Sequence, residues 1–156
     1  MIKNILQSDS ALIEPIRKYG CLFLCLAYTS PVLFDGQKGC AKLNSLWKEA
    51  ERKGYISGDL NKDGDYDDAG EAEVQTHDGL LSLFGIKAKY HGHTSNPSDY
   101  PNEKVNFIFG VFKYSITHFV VINGKDDVIY DPAGHSYTVK HGKLVQRRYY
   151  YADKIA

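Results

Sequence analysis

The sequence predicts an α+β domain in which N-terminal helices pack on an antiparallel sheet. Two observations lead to this class. Helical hydrophobic spacing is concentrated in the first half of the chain, and short apolar runs separated by turn residues dominate the second half. A length of 156 residues is enough for one domain with a substantial core. We therefore expect a single domain over residues 1–156.

Three helices are predicted in the first half of the chain. An apolar run after Gly20 predicts a buried helix that begins at Cys21. An amphipathic pattern predicts a second helix over 44–54, with Trp47 on its buried face. A third helix is expected over 71–84, where a glycine follows the last apolar position.

The second half contains the predicted strands. They occupy 87–90, 105–112, 136–139 and 143–151, together with a hairpin within 117–132. Asn123-Gly124 supplies residues that tolerate positive φ, so a tight turn is expected in that hairpin. The final pair of strands is expected to turn at His141-Gly142, and a polar loop is predicted at 92–102.

The hairpin also predicts a pair of side chains that could act together. If it is symmetric about Gly124-Lys125, His118 and Asp131 lie opposite one another at its open end. Directly opposed residues have Cβ atoms roughly 4.5–5.5 Å apart, within reach of an imidazole–carboxylate hydrogen bond. The sequence therefore predicts a general base and the carboxylate that orients it.

Cys21 is the candidate nucleophile. A thiol in the first turn of a helix is close to unpaired backbone N–H groups and to the positive end of the helix dipole, which favour the reactive thiolate. The alternative interpretation is that Cys21 and Cys25 are small buried hydrophobic residues. The downstream His118 and Asp131 favour the catalytic interpretation of Cys21.

The overall charge and cysteine content exclude several classes of protein. Nineteen basic and 19 acidic residues give zero formal charge, which argues against broad binding to nucleic acid or anionic membranes. No apolar run approaches the length of a membrane span, and the N-terminus lacks the core of a secretory signal. Three cysteines are too few for a disulfide scaffold. We expect a soluble cytoplasmic protein with free thiols.

An acidic stretch predicts a structural Ca²⁺ site. Residues 58–78 contain eight acidic side chains and one basic side chain. Oxygen-bearing residues follow the alternate spacing of the EF-hand calcium loop, and Gly64 stands at its sharp bend. Gly70 occupies the place of the final bidentate glutamate, and Glu71 follows one residue later. The predicted ligands are Asp59, Asn61, Asp63, Asp65, Asp67 and Glu71.

Three segments resemble papain-like cysteine peptidases: Gly20-Cys21, His118-Phe119-Val120-Val121-Ile122 and Tyr130-Asp131-Pro132. The likeness is greatest to the bacterial family that cleaves after double-glycine leader sequences. The chain also resembles an uncharacterised bacterial and phage family over most of its length.

The papain-like resemblance implies a papain-like fold and a thiol protease or amidase acting on a peptide or protein substrate. In that interpretation Cys21, His118 and Asp131 form the triad, and Gln7 is the upstream candidate for the oxyanion hole.

Other function classes remain open at this stage. The same fold could be a catalytically silent binding or inhibitor module, for example a phage-associated one. The same triad could also transfer acyl groups or cleave peptidoglycan or a ubiquitin-like tail. A zinc site from His91, His93 and His135 is disfavoured by its spacing. Nucleic-acid binding through Arg147-Arg148 and the following tyrosines is less consistent with the pattern than a terminal strand is.

Overall fold

A computed structural model of the chain describes residues 1–95 and 105–152. Its elements, in order, are β1 (Ile2–Lys3), α1 (Glu14–Tyr19), α2 (Cys21–Thr29), β2 (Phe34–Asp35), α3 (Gly36–Arg52), α4 (His77–Leu83), β3 (Ala88–Thr94), β4 (Val105–Lys113), β5 (Thr117–Ile122), β6 (Val128–Tyr130), α5 (Tyr137–His141) and β7 (Lys143–Ala152). The predicted α+β class is confirmed.

A five-stranded antiparallel sheet forms the second half of the protein. Its strand order is β3-β7-β4-β5-β6, so the long last strand β7 lies between β3 and β4. β1 and β2 form a separate parallel pair of two residues each. The sheet places β5, which carries His118, beside β4 near one edge.

The main hydrophobic core lies between the N-terminal helices and one face of the sheet. Phe23 of α2 contacts Trp47 and Phe84 edge to face, with ring centroids 5.1 Å and 4.8 Å apart. All three side chains are buried. Trp47 therefore belongs to the core, as its position on the amphipathic helix predicts.

Both faces of the sheet are covered. Tyr150 joins the core under the helices, whereas Tyr149 joins a second cluster on the opposite face, where Val139 of α5 also packs. Consecutive residues of a strand point to opposite faces. Tyr149 and Tyr150 are therefore both buried, because each face of the sheet is covered by other side chains.

Two predicted helices have different limits in the structure. α3 begins at Gly36, well before the predicted start at residue 44. The helix predicted over 71–84 begins only at His77. Residues 73–75 pair instead with the segment after α3: the Ser57 amide donates to the Glu73 carbonyl at 2.9 Å, and the Gln75 amide donates to the Tyr55 carbonyl at 2.8 Å.

The prediction of a strand at 136–139 was wrong, because residues 137–139 belong to helix α5. Ser136 caps this helix by accepting a hydrogen bond from the Val139 amide at 3.2 Å. β3 extends to Thr94, beyond its predicted end at residue 90. The predicted loop at 92–102 therefore starts within β3, and residues 96–104 lie outside the described part of the chain.

In the described part of the chain, no helix is both long enough and apolar enough to cross a membrane.

Candidate active site

The candidate nucleophile, Cys21, is the first residue of α2. α1 ends at Tyr19, and Gly20 alone connects the two helices. A Cβ atom at Gly20 would lie 2.4 Å from the carbonyl oxygen of Ile16, so this connection requires glycine. The predicted start of the helix is confirmed, and the cause is local: the close approach at Gly20 fixes where α2 begins.

The three cysteines differ in exposure. All are free thiols, but Cys25 and Cys40 are fully buried whereas Cys21 is half-buried. Burial raises the pKa of the Cys25 thiol well above its ordinary value, so Cys25 stays protonated. Cys21 is thus the cysteine that is placed to react with a molecule from solution.

The hairpin that carries His118 and Asp131 has a different register from the predicted one. Val121 pairs with Tyr130 and Ile122 with Val128, with an irregularity between the two pairs. Asp131 therefore follows the end of β6 and is not paired with His118 across the ladder. The prediction of a symmetric hairpin was wrong, because the bulge shifts the pairing.

The two side chains nevertheless meet. The Nε2 atom of His118 lies 2.7 Å from the Oδ1 atom of Asp131. Asp131 also accepts the backbone amides of Ala133 and Ser136, each at 3.0 Å. These bonds fix the carboxylate, and the carboxylate in turn fixes the orientation of the imidazole ring.

Opposing effects act on the pKa of His118. Burial lowers the pKa of the ring, but hydrogen bonds to Asp131 and to the Cys21 thiol outweigh burial and raise it to about 9. Because Nε2 faces Asp131, Nδ1 is the ring nitrogen left for the thiol. His118 is therefore protonated at neutral pH.

The pKa of Asp131 moves in the opposite direction. Burial raises it, but the hydrogen bonds from His118, Ser136 and Ala133 outweigh that effect and lower the pKa to about 2. The carboxylate is consequently ionised over the whole neutral range. Its negative charge compensates the positive charge of the neighbouring imidazolium.

Gln7 lies between the Asp131 segment and the start of α2. Its backbone amide donates to the Pro132 carbonyl at 2.8 Å, and its side-chain Nε2 donates to the Ile16 carbonyl at 3.2 Å. The same Ile16 carbonyl accepts the amide of Gly20, the residue before Cys21. Gln7 is buried and does fold back toward the junction that holds the candidate nucleophile.

Ser136 is a supporting residue that the sequence analysis missed. Its amide holds Oδ2 of Asp131, while its hydroxyl caps α5. A turn signal was present, because an aspartate followed by proline and glycine favours a turn stabilised by the aspartate side chain. The Gly134 amide does donate to the Asp131 carbonyl at 2.9 Å.

The acidic loop brings together a different set of carboxylates from the predicted one. Asp63, Asp65 and Asp68 each offer an oxygen within 4.8 Å of the others. Asp63 and Asp65 were predicted as metal ligands, and Asp68 was not. Oxygen ligands of this kind suit a hard divalent cation.

The other predicted ligands have different surroundings. Asp59 accepts the amide of Gly64 at 2.8 Å, and the amide nitrogen of Asn61 donates to Asp63 at 3.1 Å. Asp67 accepts a hydrogen bond from the Tyr19 hydroxyl. Glu71 is buried, and its Oε2 accepts the Leu60 amide at 3.2 Å.

Three residues of the rival sites have contacts with other side chains of the protein. The Nδ1 atom of His93 lies 3.2 Å from the Tyr90 hydroxyl. Arg147 is buried and forms two hydrogen bonds to Asp126, at 2.8 Å and 2.5 Å. The Arg148 guanidinium lies 4.8 Å from the centre of the Phe119 ring. These contacts give both arginines partners within the protein.

Comparison with known proteins identifies a family without an assigned activity. The family model described as "Protein of unknown function, DUF261" matches residues 1–152. No curated protein and no solved structure matches the chain.

Proposed function

This chain belongs to the DUF261 family, and we propose that it is a cysteine hydrolase, a peptidase or amidase with a papain-like arrangement of Cys21, His118 and Asp131. The observation that carries the proposal is the imidazole of His118, which lies 2.7 Å from Asp131 and whose pKa is raised by both Asp131 and the Cys21 thiol. A nucleophile, its base and an orienting acid are the parts that acyl transfer requires.

The proposed papain-like fold rests on how these parts are carried. The nucleophile begins a buried helix, and that helix packs against the strand that contains the histidine. The acid follows the next strand along the chain. This arrangement gives each group a rigid support, which catalysis needs for accurate positioning.

The proposed reaction starts from the thiolate of Cys21 and the imidazolium of His118. The sulfur attacks the carbonyl carbon of an amide to give a tetrahedral intermediate. His118 donates its proton to the leaving nitrogen, the C–N bond breaks, and a thioester remains on Cys21. Water then attacks the thioester while His118 accepts a proton, the C–S bond breaks, and the acid product leaves.

The negative oxygen of the intermediate needs hydrogen-bond donors. The first N–H groups of α2 have no carbonyl partner within the helix, and the amide of Cys21 is the first of them. The side-chain amide of Gln7 is the second proposed donor, since it lies at the Ile16 carbonyl beside the same junction. Loss of one such donor typically lowers a rate by about 10²–10³-fold.

The proposal is tested with a thiol-directed acyloxymethyl-ketone probe and mass spectrometry of the labelled protein. We expect rapid labelling of one site in the wild type, none in Cys21→Ala and undiminished labelling in Cys40→Ala. Cys40 is fully buried, so its removal is a matched control for the loss of a thiol.

The His118→Ala variant separates an activated thiol from an accessible one. We expect its labelling at neutral pH to fall at least about 100-fold, because the base and the positive charge are lost together. Labelling of Cys21 at the same rate in His118→Ala would contradict the hydrolase proposal. That outcome would instead favour a binding module that has the cleft without the chemistry.

A further inference from the structure

Three aromatic rings lie together on the surface beside the turn between β4 and β5. The Tyr114 and Tyr137 rings meet edge to face with their centroids 5.2 Å apart, and the Tyr137 ring lies 4.2 Å from the His141 ring. Tyr114 is 54% exposed and Tyr137 is 61% exposed, and Ile116 in the same turn is 67% exposed. Tyrosines that cluster in contact with water are typical of a surface that a partner covers.

Positive charge accompanies these rings. Lys113 precedes Tyr114 and is directly paired with Lys143 at the end of the β4–β7 ladder, and Lys140 precedes His141 in α5. All three lysines are exposed, and none of them has an ion-pair partner among the described residues. Together these side chains form the aromatic–lysine surface, which consists of Lys113, Tyr114, Tyr137, Lys140, His141 and Lys143.

The pairing of Lys113 with Lys143 is unfavourable within the protein itself. Directly opposed residues of a ladder are close neighbours, and like charges at such positions are destabilising. Residues 113–117 and 137–146, which carry the aromatic–lysine surface, contribute no acidic side chain to offset the repulsion. A negatively charged partner would relieve it, so charge complementarity favours an anionic one.

The aromatic–lysine surface continues from the proposed active site on both of its sides. The β4–β5 turn leads directly into β5, in which His118 is the second residue. Ser136, whose amide donates to Asp131 at 3.0 Å, is followed immediately by Tyr137 at the start of α5. A peptide that reaches the proposed catalytic residues is therefore adjacent to these rings.

The two sides of the surface are held firmly against each other. At Gly142, which follows the last residue of α5, a Cβ atom would lie 2.5 Å from the carbonyl oxygen of Lys113 and 2.4 Å from that of Thr138. Only glycine permits so close an approach between the end of α5 and the end of β4. The surface is thus formed before a partner arrives, which lowers the entropic cost of binding.

We propose that the aromatic–lysine surface binds an acidic segment of the peptide substrate, adjoining the amide that Cys21 attacks. This inference rests on the proposed hydrolase function, because it names the class of substrate that the same site takes. Glutamate or aspartate side chains of the substrate pair with the lysines, and its apolar side chains pack on the rings and on Ile116.

An acidic peptide fits this surface better than other anionic polymers do. Bases of single-stranded nucleic acid stack on the free faces of aromatic rings. Here the rings meet at interplanar angles of 71°, 52° and 39°, so they do not form a row of parallel platforms. Basic clusters that bind anionic membranes contain about four to eight lysines and arginines, more than the three lysines of this surface.

The first experiment measures binding without chemistry. Full-length Cys21→Ala protein is titrated into a short fluorescein-labelled peptide that alternates glutamate with leucine, and fluorescence anisotropy reports the complex. We expect this peptide to bind at least about tenfold more tightly than a matched peptide with glutamine in place of glutamate, because the lysines then lose their charged partners. Added salt should weaken binding of the acidic peptide more than that of the glutamine peptide.

Variants locate the surface that binds. Lys113→Gln combined with Lys143→Gln should weaken binding of the acidic peptide by about tenfold, and Tyr137→Ala should weaken binding of both peptides. Lys38→Gln combined with Lys48→Gln is the matched control, since it removes the same charge from exposed positions of α3 and should change the affinity by less than about twofold. The first double variant should melt no lower than the wild type, because it removes a like-charge pair.

The second experiment tests whether binding at this surface serves the thiol. The acidic peptide and the glutamine peptide each carry an acyloxymethyl ketone, and the rate of labelling at Cys21 of the wild type is compared. We expect the acidic probe to react at least about tenfold faster, because contacts with remote parts of a substrate promote reaction at the bond attacked. That advantage should disappear in the variant with both Lys113→Gln and Lys143→Gln.

Several outcomes would overturn the inference: equal binding of the two peptides, unchanged binding after loss of Lys113 and Lys143, or tighter binding of a single-stranded oligonucleotide or of anionic vesicles than of the acidic peptide. Equal labelling of Cys21 by both probes would overturn the substrate preference and leave the hydrolase proposal standing. If the acidic peptide binds but no probe labels Cys21, the hydrolase proposal is contradicted and the surface is confirmed as a peptide-binding site.

Discussion

The site around His118 and the acidic loop at 59–71 both concentrate ionisable side chains, yet their charges are compensated differently. In the first, the imidazole lies 2.7 Å from the Asp131 carboxylate, and two backbone amides donate hydrogen bonds to that carboxylate. In the second, the three clustered aspartates have no ion-pair partner among the described residues.

The two regions differ in whether a bound ion is needed to balance their charges. A charge that the protein itself compensates is ready for chemistry, since no group must reorganise when a substrate arrives. A cluster without compensation gains most when an ion binds, because binding removes repulsion that folding left in place. The first region is therefore expected to be insensitive to added cations, and the second to depend on them.

Removing the acid from the compensated site should have the largest effect. Asp131→Ala deletes the hydrogen bond to His118 and leaves the ring without an orienting partner. We expect the second-order rate of probe labelling at Cys21 to fall by about 10²–10⁴-fold. Asp127→Ala is the control, since that exposed carboxylate lies in the turn of the same hairpin. A change of less than about threefold would show that the bond is only structural.

The free energy of unfolding of the protein should depend on pH through His118 in a defined pH window. The pKa of His118 rises from 6.5 to about 9 on folding, so its contribution is complete below pH 6.5 and lost as pH rises through about 9. We expect the free energy of unfolding to fall by on the order of 2 kcal/mol across that window. Asp131 contributes above pH 3.8, and its contribution is lost as pH falls through about 2.

Urea denaturation at pH 6.5 and pH 9.5 measures this fall. The His118→Gln variant should lose most of the dependence on pH, whereas His141→Gln, which changes an exposed histidine, should retain it. If the free energy of unfolding of His118→Gln falls between pH 6.5 and pH 9.5 as much as that of the wild type, other groups cause the pH dependence.

The smallest effect is expected in the uncompensated region. The pKa of Glu71 is raised, so its ionised form opposes folding at neutral pH when no cation is bound. We expect Glu71→Gln to raise the melting temperature of the calcium-free protein by a few degrees. Thermal scans of the wild type and Glu71→Gln in chelator measure the shift, and a lower melting temperature in the variant would contradict this expectation.

The parts of the site that were predictable depend on local chemistry. The start of α2 at Cys21 follows from Gly20 and the apolar run behind it. The pairing of His118 with Asp131 was predicted from two strands joined by an Asn-Gly turn, although the register differs. The irregularity changes which residues of β5 and β6 are paired, but it does not separate the side chains of His118 and Asp131. Asp131 follows the end of β6, so the pairing of the two strands does not set its position.

The parts that were not predictable depend on contacts between distant segments. The expected helix at 71–84 starts late because residues 73–75 bond to the backbone at 55–57. Asp68 joins the acidic cluster while Asp67 turns to Tyr19, and no spacing rule encodes that choice. α5 replaces a strand because Ser136 caps it while also supporting Asp131.

The Tyr19 hydroxyl donates a hydrogen bond to Asp67 and so connects the end of α1 to the acidic loop. Tyr19 is the last residue of α1 and lies two residues before Cys21. A proteolytic cut within 59–68 is expected to remove this hydrogen bond. We expect such a cut to change the position of the Cys21 thiol, even though all three residues of the proposed triad remain intact.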